Sequence, residues 1–178
     1  MIVARDVVDA YLAALAAGGE AACRDYCLDP RAWTARACLA LVDAGRREFP
    51  VAEGATRPRK DTSGRSEYLT TDVMLWDEGS WGPPLFVAEH EQSGDAWQVQ
   101  YSAWKLLVVE ARRRVLVAYF GEGTGIRNLE RLGDLVREVC RDNKGKDITI
   151  IAAPCNARPR TSEELRSMHE SMIVGEHP

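Results

Sequence analysis

One short segment, residues 84–92 with the sequence PLFVAEHEQ, constrains the fold of this chain more than any other. Its apolar run follows a Gly-Pro-Pro turn, which predicts a buried strand. Because side chains alternate between the two faces of a strand, Glu89 and Glu91 should point to one side and His90 to the other. Two neighbouring carboxylates at the end of a buried strand repel each other and lose hydration. A hard divalent cation with oxygen ligands would offset both costs.

A second acidic strand precedes this one. Residues 67–76 have the composition of a strand and carry Asp72 among apolar neighbours. A hairpin between the two strands would bring Asp72 beside Glu89, so that three acids face one point and form a metal site. An acidic pair at a strand end is also typical of a solvated edge, and the residues alone leave both interpretations open.

Length and composition are typical of one soluble globular domain. A chain of 178 residues can bury roughly 70% of the surface that its unfolded form exposes. No apolar run approaches the ~20 residues needed to cross a membrane, and the first residues include acids where a signal peptide would be basic. We therefore expect a cytoplasmic protein without a membrane partner. The net charge of -4 argues against a broad nucleic-acid-binding surface, although it leaves room for a local basic groove.

The order of predicted elements indicates an α/β protein with a mixed central sheet. We expect a single domain over residues 1–178, with N-terminal helices over about 4–48, a core over about 67–153 and a C-terminal tail helix over about 161–173. After the two acidic strands, the core should continue with a helix near 96–111, a strand near 114–120, an amphipathic helix near 126–141 and a strand near 147–153.

This order, with Asp72 and then Glu-x-Glu ahead of a helix and a strand, resembles the PD-(D/E)XK nuclease superfamily, which has the restriction-endonuclease-like fold. The resemblance covers roughly residues 35–120 and implies a three-layer core, in which helices flank the mixed sheet. It also implies that Asp72 and Glu89 bind Mg²⁺ or Mn²⁺, with a Glu of the first helix as a further ligand. Glu48 is the residue that matches this helix Glu.

The chain departs from the family pattern at Glu91, which occupies the place usually held by Lys. Other members of the family recruit a Lys from the following helix, and Lys105 is the only Lys of that predicted helix. A lone Lys on a largely apolar helix either extends to solvent or is directed at an anionic site. We expect the second, so the resemblance implies a catalytic set of Asp72, Glu89, Glu91 and Lys105.

A basic segment precedes the Asp72 strand in this otherwise acidic chain. Its cations, which in this fold would lie near the active cleft, are Arg57, Arg59, Lys60 and Arg65. Contact with nucleic-acid phosphates and simple solvation are equally compatible with the segment.

The resemblance implies a metal-dependent nuclease, with DNA as the expected substrate. In such an enzyme, metal ions and a Lys stabilise the negative charge that develops during phosphodiester hydrolysis.

The rival hypothesis is a catalytically silent member of the same fold that serves as a binding or assembly subunit, which the replaced Lys and the acidic net charge favour. A homodimer or a protein partner is compatible with both. A flavodoxin-like or other small-ligand α/β protein comes third, because no motif supports it. Most of the five Trp are expected in the core.

Overall fold

The computed structural model describes residues 4–50, 52–56, 71–77, 82–122, 124–143 and 145–175. Its centre is a six-stranded mixed sheet in which the strands lie side by side in chain order. The strands are β1 (Ala52–Thr56), β2 (Val73–Asp77), β3 (Phe86–Glu91), β4 (Arg113–Phe120), β5 (Ile148–Pro154) and β6 (Glu170–Val174). The three central strands β3, β4 and β5 are parallel, and antiparallel strands extend the sheet on both sides. The expected α/β class with a mixed sheet is confirmed.

Helices cover both faces of this sheet, and each face has its own apolar core. One face is covered by α1 (Ala4–Ala16), α2 (Gly19–Leu28), α3 (Pro30–Glu48) and α6 (Ser162–Ser167), and the other by α4 (Ala96–Val108) and α5 (Leu129–Cys140). In β4, Val115 and Val117 point to the α1–α3 side, whereas Leu116 and Ala118 point to the α4–α5 side. A strand buried on both faces therefore has a continuous apolar sequence. Within the described ranges, no helix combines the length and apolar character needed to span a bilayer.

Helix α3 begins at a clear cap and packs closely on the sheet. The Asp29 side chain accepts hydrogen bonds from the backbone N–H groups of Arg31 and Ala32, and Pro30 occupies the first helical turn. Further along, a Cβ added to Gly45 would lie only 2.4 Å from Leu75 Cδ1. The lack of a side chain at residue 45 thus lets α3 approach β2.

Helix α4 connects β3 to the parallel strand β4 and begins within a few residues of the acidic strand end. Gly94 makes the turn with a φ of 64°, a left-handed conformation that favours glycine. The Asp95 side chain then caps the helix by accepting the backbone N–H of Trp97 at 2.9 Å. The chain is thereby turned back over the α4–α5 face of the sheet directly after Glu91.

The end of α4 is held by a buried cation from β4. Arg114 donates hydrogen bonds to the carbonyl oxygens of Leu106 and Val109, each at 3.0 Å. These carbonyls belong to the last turn, where helical partners are lacking. The helix accordingly ends at Val108, three residues before the expected end at 111.

The C-terminal tail differs from the sequence-based expectation. The predicted helix over 161–173 is wrong in its second half, because α6 ends at Ser167 and residues 170–174 form β6. β6 pairs with β5, and its alternate residues Met172 and Val174 pack into the core of the α4–α5 face. The edge of β5 provides backbone hydrogen-bond partners for residues 170–174, so this segment forms a strand. The capping pattern near residue 161 indicates only where a helix begins, and it carries no information about this sheet edge.

Candidate functional site

Asp72 and Glu89 lie next to each other at the edge of the face that α4 covers. β2 and β3 are antiparallel with Val73 opposite Ala88, so Asp72 and Glu89 form the next pair outward. The Asp72 carboxylate accepts the backbone N–H of His90 at 2.9 Å, which fixes it over the end of β3. The predicted antiparallel pairing of the two acidic segments is confirmed.

Lys105 extends from α4 to the acid on β3. Its Nζ atom lies 2.7 Å from Glu89 Oε2, and the two side chains are only 12% and 3% exposed. The side chain is therefore directed at an anionic group, and it does not extend into solvent. Helix α4 supplies to this strand a cation that the strand itself lacks.

The pKa of the Glu89 carboxyl is strongly raised. The pKa of Glu89 is raised to about 8, chiefly by burial and also by the nearby charge of Asp72, whereas Lys105 acts in the opposite direction. Its second oxygen, Oε1, is buried and has no hydrogen-bond partner among the described residues. An acceptor in that state is satisfied either by a proton or by a cation.

Glu91 lies on the same face, but both of its oxygens have partners within the protein. Oε1 accepts the backbone N–H of Ser93 at 2.8 Å, and Oε2 accepts the hydroxyl of Ser102 at 3.2 Å. Ser102 was not singled out from the sequence. Its position three residues before Lys105, on the same side of α4, is the signal that could have found it.

Glu48 is the one member of the expected metal set that the structure does not bring to the others. Its carboxylate accepts hydrogen bonds from Arg113 at 2.7 Å to Nη2 and 3.1 Å to Nε. Arg113 is opposite Phe86 in the sheet, three residues before Glu89. Helix α3 also packs on the opposite face of the sheet, so Glu48 serves as the partner of an Arg at the other end of the strand.

The described residues limit how many protein ligands a metal ion could have at this site. Within the described ranges, no three Asp, Glu, His or Cys side chains are arranged as a group that could hold a metal ion. Mg²⁺ is commonly bound by only one or two carboxylates, with water and substrate phosphate completing its shell. The Asp72–Glu89 pair, with the unpartnered Oε1, fits that smaller requirement. The predicted phosphate-binding cations Arg57, Arg59, Lys60 and Arg65 lie outside the described residues.

On the opposite face of β3, His90 belongs to a buried hydrogen-bond network that the sequence did not indicate. Trp33 Nε1 donates to the Tyr119 hydroxyl at 2.5 Å, and this hydroxyl lies 2.8 Å from His90 Nε2. Burial lowers the pKa of His90 to about 3, with a smaller contribution from His169. His90 is therefore a neutral packing residue, and its predicted orientation away from the acids is confirmed.

Comparison with known proteins yields no relative. No family model, no curated protein and no solved structure matches this chain. Its function therefore has to follow from the site itself.

Proposed function

We propose that this chain is a cytoplasmic Mg²⁺- or Mn²⁺-dependent phosphodiesterase of the PD-(D/E)XK type, with a restriction-endonuclease-like fold, which cleaves nucleic acid and takes DNA as its expected substrate. The observation that carries this proposal is the buried contact of 2.7 Å between Lys105 Nζ and Glu89 Oε2. It brings a cation to the acidic strand although Glu91 occupies the usual place of Lys. The order α3-β1-β2-β3-α4-β4 is also the order of elements on which the family resemblance rests.

Asp72 and Glu89 are the residues that would hold the metal ion. When bound, the metal would stabilise the charge that develops on the phosphate and make hydroxide available near neutral pH. Binding requires Glu89 to be ionised, which its burial opposes. Lys105 counteracts that penalty because its ammonium group stabilises the carboxylate.

Lys105 has a second role in this proposal. Its ammonium group has three donors, of which one is directed at Glu89. In this proposal the group also donates to a phosphate oxygen or to the attacking water when substrate is bound. Glu91 supports this arrangement indirectly, because it binds the Ser102 hydroxyl one helical turn before Lys105. Glu91 is thus a positioning residue that joins the end of β3 to α4.

A silent binding or assembly subunit is the second candidate, and two observations favour it. Both oxygens of Glu91 are used within the protein, and the described residues include no three-ligand metal group. In that case the Glu89–Lys105 pair would serve only to neutralise a buried charge.

Thermal unfolding with Mn²⁺ tests the metal site. At a metal concentration of about 100 Kd, binding should stabilise the wild type by about 2.7 kcal/mol, which corresponds to a rise in Tm of roughly 5–10 °C. Asp72→Ala and Glu89→Gln should abolish the rise. Asp77→Asn is the matched control, because it removes an exposed acid at the other end of the same strand. A wild type without any shift, or equal shifts in all variants, would refute the site.

Cleavage assays then separate the two candidates. Single- and double-stranded DNA and RNA are incubated with Mg²⁺ or Mn²⁺, and Lys105→Met should lower the rate by about 10²–10³-fold while the Mn²⁺-induced rise in Tm remains. Lys146→Met is the control, because it removes the same charge from a Lys that donates to the carbonyl of Leu107 in the last turn of α4. Metal binding without cleavage of any substrate would favour the silent subunit.

A further inference from the structure

The outer side of α4 carries a continuous row of exposed apolar side chains. Trp97, Tyr101, Trp104 and Val108, here named the aromatic strip, follow each other at intervals of four, three and four residues and therefore share one helical face. Their exposed fractions are 62%, 39%, 48% and 51%. They are four of the seven large hydrophobic residues that are exposed within the described part of the chain. Trp97 and Trp104 are therefore surface residues, and the expected core position is wrong for these two Trp.

The rings of the aromatic strip stack on one another. Trp97 and Tyr101 are nearly parallel, with an interplanar angle of 4° and centroids 5.4 Å apart, and Tyr101 and Trp104 are 5.8 Å apart at 19°. Ring faces that are turned towards each other leave mainly ring edges for a partner. A row of edges suits side chains that interdigitate from another helix, whereas stacking of nucleotide bases requires open ring faces.

The charge of α4 also favours a protein partner. Lys105 is the only charged residue among the 13 of this helix, although 28% of the whole chain is charged. Its side chain is directed inward at Glu89. A surface for a phosphate backbone would need cations along the strip, whereas the centre of a protein interface is typically poor in charge and rich in Trp and Tyr.

The spacing of the aromatic strip is symmetric about the point between Ser102 and Ala103. We infer that the strip is a homodimer interface, in which α4 helices of two copies pack antiparallel about a two-fold axis at this point. Trp97 then faces the partner's Val108, and Tyr101 faces the partner's Trp104. Each large end of the strip meets a small end, and the opposed helix dipoles attract each other. The inference uses neither Asp72 nor Glu89, so it does not depend on the proposed nuclease activity.

The area of the strip sets the expected strength of the dimer. Given the exposed fractions and the surface of aromatic side chains, the strip offers roughly 300–400 Å². A standard interface buries about 800 Å² on each partner, so the strip supplies about half. We expect a dimer with a Kd on the order of micromolar, with the remaining area coming from polar residues around the strip.

Sedimentation equilibrium between about 1 and 200 μM tests the interface. The wild type should change from the mass of one chain to that of two, and Trp104→Glu should raise the Kd about 100-fold. Leu39→Glu is the matched control, because Leu39 is 60% exposed on α3, on the other side of the molecule, and should leave the Kd unchanged. Circular dichroism melting at 1 μM checks that each variant folds. A folded Trp104→Glu that dimerises like the wild type overturns the inference.

A mixing experiment tests the antiparallel arrangement. Trp97→Glu and Val108→Lys should each dimerise weakly alone, because each places an unpaired charge in the interface. Mixed together, they bring the new Glu opposite the new Lys of the other chain at one contact and retain Trp opposite Val at the second. The mixed dimer, detected by native mass spectrometry, should form at least about 10-fold more tightly than either homodimer. Equal affinities overturn the proposed pairing.

The competing occupant is single-stranded nucleic acid. A wild type that stays monomeric at 200 μM but binds a dT oligonucleotide, with binding lost in Trp104→Ala, would overturn the dimer in favour of base stacking.

Discussion

Glu89 and His90 are neighbours in the chain but face two different regions of the molecule. Burial opposes the charged form of both and is the main reason that the pKa of Glu89 is raised to about 8 and that of His90 is lowered to about 3. The partners differ. Glu89 meets a second acid and an ammonium group, whereas His90 meets the Tyr119 hydroxyl within a neutral network.

The comparison separates two ways of accommodating a buried polar group. On the α1–α3 face, neutral hydrogen bonds join Trp33, Tyr119 and His90, so no reactive charge is left there, although His90 Nδ1 has no hydrogen-bond partner among the described residues. On the α4 face, acids and an ammonium group share a buried environment, and Glu89 Oε1 has no hydrogen-bond partner within the described part of the chain. Such an arrangement costs stability unless a ligand completes it, and it is therefore typical of functional sites.

Trp33→Ala should produce the largest loss of stability and should sharpen the contrast between the two faces. Trp33 is only 1% exposed and donates to Tyr119, so we expect its removal to cost about 3–5 kcal/mol in urea unfolding. The Mn²⁺-induced rise in Tm should remain, because the acids lie on the other face. Trp97→Ala, at 62% exposure, is the control and should change stability by no more than about 0.5 kcal/mol at 1 μM protein. Loss of the Mn²⁺ response in folded Trp33→Ala would show that the faces are not independent.

The pH dependence of stability should also distinguish the faces. In the folded state Glu89 keeps its proton up to a pH of about 8, whereas in the unfolded chain it ionises near 4.3. The folded state binds the extra proton, so stability falls as the pH rises through this window. His90 and His169, with folded pKa values of about 3 and about 4, act in the opposite sense and reduce stability as the pH falls below about 6.5.

Between a pH of about 6.5 and 8, Glu89 is the only one of these three groups that still changes stability with pH. Without metal, we expect the free energy of unfolding to fall by roughly 2 kcal/mol across this range. Glu89→Gln should remove this fall, because Gln does not titrate. Asp77→Asn should retain it. The measurement is urea unfolding at four pH values across the window, and an identical slope in Glu89→Gln and the wild type would contradict the raised pKa.

The smallest effect should come from the helix caps, one on each face. Asp29→Ala and Asp95→Ala should each cost about 1 kcal/mol. Asp29→Ala should cost the larger amount, because Asp29 accepts two backbone N–H groups and Asp95 accepts one. The Asn variants should retain most of the stability, since Asn caps equally well. An Asn variant as unstable as its Ala counterpart would show that the acids act through charge and not through capping.

The parts of the site that could be predicted from the sequence are those set by local periodicity. The alternation along β3 gives the opposite faces of Glu89 and His90, and the lone Lys of an apolar helix gives the direction of Lys105. The Arg113–Glu48 contact could not be predicted, because it joins residues 65 positions apart through the packing of α3 on the sheet. The same holds for Trp33 and Tyr119, which are 86 positions apart. Strand β6 depends on an open sheet edge that only the assembled fold provides.

Helix α4 is held at both ends, by the Asp95 cap at its start and at its last turn by Arg114 and by Lys146, which donates to the carbonyl of Leu107 at 2.8 Å. It therefore behaves as a rod clamped to the sheet and cannot slide along its axis without breaking these bonds. Lys105 and the aromatic strip are the inner and outer sides of this rod. Tyr101 joins the two sides, because Lys105 Nζ lies over its ring, 5.5 Å from the centroid. A molecule that docks on the outer side and displaces this ring therefore acts directly on the cation that contacts Glu89, without any movement of the helix axis.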